Sequence, residues 1–347
     1  MTFLKSYRFW IGITVSLLLL WLAIKDIPFQ TLANSFSRAA YLWIVPAIIA
    51  QLLAVLTRCQ RWIVLLKQPQ RLVSSIWAQS IGYLFTNVLP FRMGEPARVL
   101  VMAEQCDLPV MYVTGTAVVE RLFDVATIIL ALVFILPWMQ VPESVSNSGL
   151  VFGLIVVIGL ITIILMARFK QKAHQLLEWI IKMIKFLPTQ SVLRWWDDLI
   201  DSLSILLDWK IAASTVFWSI ITWFFSACTY IFVIKAFQPD GLVIEAVFML
   251  VALSLAVTLP SSPGFIGVYQ FAGQQALVLP FGAKYNSANA LSITLTAHMN
   301  YYLITTGLGL IAIWVTGLSF SKILKSMSNR NKSDVQQDIH SLSEDHS

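Results

Sequence analysis

Charge is the scarcest property of this chain. Asp, Glu, Lys and Arg make up 12% of its 347 residues, against about 25% in a typical soluble domain. Apolar residues make up 58%, more than a soluble core of this length can bury. Cysteine is nearly absent. Cys59, Cys106 and Cys228 lie in or beside apolar segments with no CxxC pair, which argues against a zinc site or a disulfide framework. The sequence also has no HExxH, DxD, GxSxG or phosphate-binding P-loop motif, so neither zinc hydrolysis nor ATP-driven transport is expected of it. No cofactor and no metal are expected. The formal net charge of +6 reads as a membrane-orientation signal, not a nucleic-acid footprint.

What remains is a series of long uncharged stretches of membrane-spanning length: Phe9–Ile24, Tyr41–Thr57, Leu72–Phe91, Val125–Pro142, Ser144–Ala167, Ile211–Ile234, Ala246–Ala283 and Tyr285–Ser321. The last two are too long for one straight span each. No small-x-small cleavage site follows the first stretch, so it reads as an uncleaved span and not as a signal peptide. The expected fold is all-α: a polytopic integral membrane protein with about six full spans and two broken or re-entrant helical hairpins.

Basic residues set the orientation. With the N-terminus inside, 17 of them are cytoplasmic: Lys5 and Arg8; Arg58, Arg61, Lys67 and Arg71; seven in segment 168–210; and four in the tail. Lys25, Arg38, Lys235 and Lys284 fall outside. This balance holds only if segment 72–108 returns to its starting side. It is therefore expected to form a hairpin, with a turn at Leu89–Gly94 and a return limb from Pro96. The second half repeats the device at Leu259–Gly264, with the same L-P-x-x-x-G pattern. Two halves, 8–142 and 144–318, then run in opposite directions as inverted repeats within a membrane domain of residues 1–320. Segment 168–210 carries an amphipathic helix on the cytoplasmic leaflet, and residues 321–347 form a polar tail expected to be disordered. The protein is expected in the cell inner membrane with both termini cytoplasmic.

Three clusters carry chemistry. In the first, Arg92, Glu95 and Arg98 surround a turn broken by Pro90, Gly94 and Pro96. Arginine forks suit phosphate, and charge at membrane depth is costly enough to suggest function; the alternative is a solvated loop. In the second, Glu120 and Asp124 share a helix face and Arg121 reaches Asp124 three residues on. This is either a proton-coupling network or a structural salt bridge. The third is uncharged: Ser261, Ser262 and Gly264 sit at a break whose hydroxyls and freed backbone groups can bind a polar substrate, or can simply pack. Together Arg92, Glu95, Arg98, Glu120, Arg121 and Asp124 sum to zero charge, and they are expected to converge on one cavity. His298 sits in the last span beside Asn300, Tyr301 and Tyr302, where a membrane acyltransferase could use a histidine; the favoured reading is a helix-packing hydrogen bond.

The runs Arg58-Cys-Gln-Arg61-Trp62, Pro90-x-Arg92-x-Gly94-Glu95-x-x-Arg98 and Glu120-Arg121-x-x-Asp124, with the Pro-Ser-Ser-Pro-Gly turn, together resemble the lysylphosphatidylglycerol synthase transmembrane region, or flippase-like domain family, over residues 5–320. The resemblance implies a lipid translocase acting on a phosphate-bearing lipid, of phospholipid or polyprenyl/hopanoid type. It implies membrane lipids as partners, with a lipid-modifying enzyme or glycosyltransferase as a further one. Arg92, Arg98, Ser261, Ser262 and Gly264 would then contact the headgroup, and Glu95, Glu120, Arg121 and Asp124 would form the charge network. No soluble synthetase domain follows in this sequence, so aminoacyl transfer is not expected. A transferase acting on a lipid carrier and a non-catalytic partner of a separate synthase remain the alternatives.

Overall fold

The computed structural model describes residues 7–90, 92–138, 165–182, 203–258 and 261–318, with isolated positions among 154–201 and at 323. Every regular element among them is helical: α1 (Tyr7–Ile24), α2 (Phe29–Ser37), α3 (Ile44–Leu65), α4 (Leu72–Val88), α5 (Gly94–Cys106), α6 (Val110–Ile135), α7 (Lys170–Lys182), α8 (Trp209–Phe237), α9 (Val243–Ala256), α10 (Val268–Phe281) and α11 (Ser287–Thr316), joined in places by single 3-10 turns.

Polarity is arranged inside out relative to a soluble protein. Trp10, Leu17 and Trp21 on α1, Phe217 and Ile220 on α8, and Leu303 and Trp314 on α11 are exposed, while Arg61, Arg98 and Glu120 are buried. Lipid is the solvent that tolerates such a surface. Three segments are long and apolar enough to span a bilayer: Tyr41–Leu65, Trp209–Phe237 and Ser287–Thr316. The pair α1 and α2, bent by 78°, passes the same test jointly. The bend falls at Lys25–Pro28, where Pro28 has no N–H to continue the ladder.

The two expected hairpins form. In the first, α4 and α5 flank a turn; Phe91 lies outside the described residues. The return limb starts at Gly94, two residues before the expected Pro96. Pro96 is tolerated there because the first N–H groups of a helix have no intrahelical partner. In the second, α9 and α10 flank the turn 257–267; Leu259 and Pro260 lie outside the described residues. At 1.5 Å per residue, α5, α9 and α10 are each about 20 Å long, short of the roughly 30 Å hydrocarbon core. None of these three limbs is long enough to cross that core alone. The turns meet: Arg92 donates to the Val257 carbonyl, and a Cβ on Gly264 would lie 3.3 Å from the Asn87 carbonyl.

Several expected boundaries are corrected. The span Tyr41–Thr57 belongs to a helix that continues to Leu65 and carries Arg58 and Arg61 inside the bundle, not in a cytoplasmic loop. Carboxylates on a neighbouring helix, described below, make that burial tolerable. Helix α6 begins at Val110, ahead of the span Val125–Pro142, and Glu120–Asp124 lies in mid-helix, within the continuous apolar segment Leu108–Pro142 where the sequence puts it. The stretch Tyr285–Ser321, judged too long for one span, supplies the single 30-residue α11, with no proline to break it. In the amphipathic segment, α7 buries Ala173 and Ile181 and exposes Leu176 and Trp179 beside its lysines. Most of 144–164 and 183–202, and the tail beyond 318 apart from Ile323, lie outside the described residues.

The packing has an internal regularity. Helices α3 and α8 lie against each other, α4 packs on α11 and α6 on α9, α3 touches both α4 and α11, and α8 touches both α9 and α6. Exchanging α3, α4, α5 and α6 for α8, α9, α10 and α11 maps the α3–α8 contact onto itself and each of the others onto another of the set.

Candidate functional site: an arginine-lined cavity between the hairpins

Helical spacing builds the site. Glu120 and Asp124, one turn apart on α6, share an inward face. Arg58 and Arg61, three apart near the end of α3, reach the same place. Arg61 is fully buried. Its Nη2 donates to Glu120 Oε1 at 2.9 Å, and its Nη1 lies 2.9 Å from Asp124 Oδ1 and donates to Ser219 Oγ at 3.1 Å. Arg58 donates to Asp124 Oδ2 at 2.9 Å. From α5, Arg98 donates through Nε to Glu95 Oε2 at 2.8 Å, and through Nη1 to Glu120 Oε2 at 2.9 Å and Gln79 Oε1 at 2.7 Å. Its guanidinium carbon sits 4.7 Å from the Trp62 ring centroid. Arg121 bridges Glu95 and Asp124. The carboxylates thus join three helices through arginine forks, the geometry in which buried charge is affordable.

This lattice forms one wall of a cavity of about 510 Å³, exposing Arg58, Arg92, Glu95, Arg98, Arg121 and Asp124. A second wall, from α8 to α11 and the turn between α9 and α10, is mostly aromatic and apolar: Trp223, Tyr230, Leu253, Phe265, Tyr269 and Tyr301, with the hydroxyls of Ser254 and Thr258. Phenols tie that wall together. Tyr230 and Tyr269 share a hydrogen bond at 2.9 Å, and Tyr83 packs edge-on against Tyr301. Trp223 Nε1 donates to Asp124 Oδ1 at 3.3 Å and so joins the two walls.

The structure brings together all six expected charged residues. It corrects their charge balance, because Arg58 and Arg61 belong to the same cluster. Five arginines against three carboxylates, Glu95, Glu120 and Asp124, leave a surplus of +2 where zero was expected. Arg92 has no carboxylate partner among the described residues; it caps the C-terminal end of α9 at Val257. The spacing of Arg58 and Arg61 was visible in the sequence, but their place at the edge of an apolar run disguised their depth.

Ser261, Ser262 and Gly264 do not line this cavity; of their turn, Val257, Thr258 and Phe265 do. They shape the turn instead. The Ser262 N–H donates to Ser16 Oγ on α1 at 2.8 Å and its hydroxyl donates to the Ile266 carbonyl at 3.0 Å. Gly264 adopts a left-handed φ of 67°, the conformation glycine provides without strain. His298 fastens the turn to α11. Its Nε2 donates to the Gly264 carbonyl at 2.9 Å, so Nδ1 accepts from Gln270 Nε2 at 2.8 Å; Gln270 Oε1 accepts from the Gly267 N–H at 2.7 Å. A carbonyl can only accept, so this chain fixes a neutral imidazole with its proton on Nε2. The packing role expected for His298 is the one it has.

A family model described as the lysylphosphatidylglycerol synthase TM region matches residues 9–309. No curated protein and no solved structure matches the chain.

Proposed function

Because the chain belongs to the lysylphosphatidylglycerol synthase TM region family, a membrane domain associated with lipid-related functions, we propose that it is a lipid translocase of the inner membrane that admits a phosphate-bearing head to the cavity between its two hairpins. One observation carries this reading: a single cavity has an arginine wall with surplus positive charge on one side and an aromatic, apolar wall on the other. A phospholipid or polyprenyl-type lipid needs both, because its phosphate seeks forked donors while its chain seeks apolar surface. The packing contacts that interchange between α3–α6 and α8–α11 support inverted-topology repeats, the architecture in which broken helices flank a central site and alternating access follows from rocking one half against the other. We place both termini in the cytoplasm on the distribution of basic residues.

The test is transport by purified protein in liposomes, read as loss of fluorescence of a head-labelled phospholipid on addition of an impermeant quencher. Protein-containing vesicles should lose nearly all the signal, and protein-free vesicles about half. Equal loss in the two would end the translocase reading. Cysteines introduced at positions 145 and 175 should label from opposite faces of the membrane; labelling from one face would overturn the orientation.

A further inference from the structure

The charge surplus selects among lipids. Resting on the translocase reading, we infer that the cavity takes a lipid whose head is a phosphate monoester and turns away aminoacylated lipids with a cationic head. Three observations converge. First, the surplus of two positive charges is the complement of a monoester, which carries about −1.5 to −2 at pH 7, whereas a diester carries one negative charge. Second, donors are left over. Arg92 has no carboxylate partner among the described residues, and Arg98, 1% exposed and lining the cavity, has an Nη2 without a hydrogen-bond acceptor there. Buried donors are normally satisfied, and phosphate oxygens are the acceptors that arginine forks fit. Third, no carboxylate facing the cavity is free to pair with an ammonium group. The two there are already held, Glu95 by Arg98 and Arg121 and Asp124 by Arg58, Arg61 and Arg121. The other polar side chains of the lining, among them Thr86, Ser254, Thr258, the phenols and the Trp223 indole, are neutral. A lysyl headgroup would bring a cation into a cationic site.

The experiment is displacement of a short-chain fluorescent phosphatidic acid from the full-length protein in detergent. Dioleoyl phosphatidic acid should displace it at a concentration at least tenfold below that needed for dioleoyl phosphatidylglycerol. Lysyl-phosphatidylglycerol should displace it more weakly than either. Inorganic phosphate should need at least a hundredfold more than phosphatidic acid, because it lacks the chains that occupy the aromatic wall. Arg92→Gln should narrow the gap between phosphatidic acid and phosphatidylglycerol at an unchanged melting temperature. Equal displacement by phosphatidic acid and phosphatidylglycerol, stronger displacement by the lysyl lipid, or failure of the probe to bind would overturn the inference. Inorganic phosphate as effective as the lipid would make this a free-anion site. A protein that keeps the preference but moves no lipid between leaflets loses the transport reading and keeps the site.

Discussion

In the first hairpin the turn leads into Gly94, Glu95 and Arg98, and the break is held by ion pairs to α6. In the second, the turn 257–267 contains no charged residue, and its break is held by a neutral chain running from Gly267 through Gln270 and His298 to Gly264. The same backbone problem, a helix interrupted by a turn with its amides and carbonyls released, has thus been solved twice with different chemistry. Among the residues lining the cavity, charge is confined to α3, α5, α6 and the turn before α5, whereas those from α8 to α11 carry none. Arg92 is the point of contact between the two solutions, an ionised side chain of the first turn resting on the Val257 carbonyl of the second.

The comparison breaks most visibly at Glu120. It is fully buried and accepts from Arg61 and Arg98, with Arg58 3.6 Å away. Glu120→Ala leaves those cations uncompensated and should cost about 3–5 kcal/mol, read as loss of folded protein from the membrane and a lower melting temperature in detergent. Arg61→Met placed on Glu120→Ala should recover part of the abundance. If transport returns with it, the pair is structural; if abundance returns alone, Glu120 also serves the substrate. No single substitution in the uncharged turn should cost as much.

Glycine substitutions should treat the hairpins alike. A Cβ on Gly94 would stand 1.9 Å from the Gly82 carbonyl oxygen, and one on Gly267, at φ 93°, 1.9 Å from that of Ser16. Neither backbone can give way locally, so Gly94→Ala and Gly267→Ala should each cost about 1–3 kcal/mol by overpacking, measured as melting shifts in detergent. A neutral outcome at one and not the other would show that only one hairpin is tightly closed.

His298→Ala should fall below both. It strips the Gly264 carbonyl and the Gln270 amide of partners and removes the ring stacked on Tyr269, at a cost of about 1–3 kcal/mol for each unsatisfied group that stays buried. Water from the nearby cavity, which Tyr269 lines, relieves part of that. His298→Gln, which keeps a donor and an acceptor, should recover most of it. If His298→Gln is as damaging as His298→Ala in transport but not in melting, the imidazole has a role beyond holding the turn.

The all-helical, apolar character of the chain and its two hairpins were legible because apolar length and proline-glycine breaks are local signals. The site was legible as residue types and only partly as a site. Glu120 and Asp124 announced themselves by sitting four apart in an apolar run, but Arg58 and Arg61 lie where the run gives way to polar residues. Nothing in that local pattern separates an arginine at the membrane surface from one paired with a carboxylate 59 residues away. The aromatic wall was still less visible. Trp223 and Tyr230 lie within an apolar span, where an aromatic residue facing a cavity reads the same as one facing lipid. Ser261, Ser262 and Gly264 are a polar break that suggests a binding surface by composition alone, but they do not line this cavity, and the bonds of Ser262 go to α1 and its own turn and that of the Gly264 carbonyl to His298 on α11.

Arg92 tests the comparison most finely, because stability and function should part company there. Its side chain is exposed, its φ is 53°, and its contact is a carbonyl at the end of α9 and not a carboxylate. A cation at a helix C-terminus contributes about 0.3–1 kcal/mol, and an exposed substitution away from any core typically changes stability by no more than about 0.5 kcal/mol. Arg92→Gln should therefore leave abundance and melting temperature nearly unchanged. Transport should nonetheless fall, because the one arginine of the cluster without a carboxylate partner among the described residues is the one free to follow a phosphate. Arg92→Lys separates the two parts of that role. The ammonium can still sit on the Val257 carbonyl, so contact between the turns survives, but it presents no planar fork to two phosphate oxygens, so transport should recover only partly. If Arg92→Gln instead lowers abundance as far as Glu120→Ala, Arg92 belongs to the buried lattice, the two turns are locked and not merely touching, and the division between a charged binding hairpin and a neutral one does not hold.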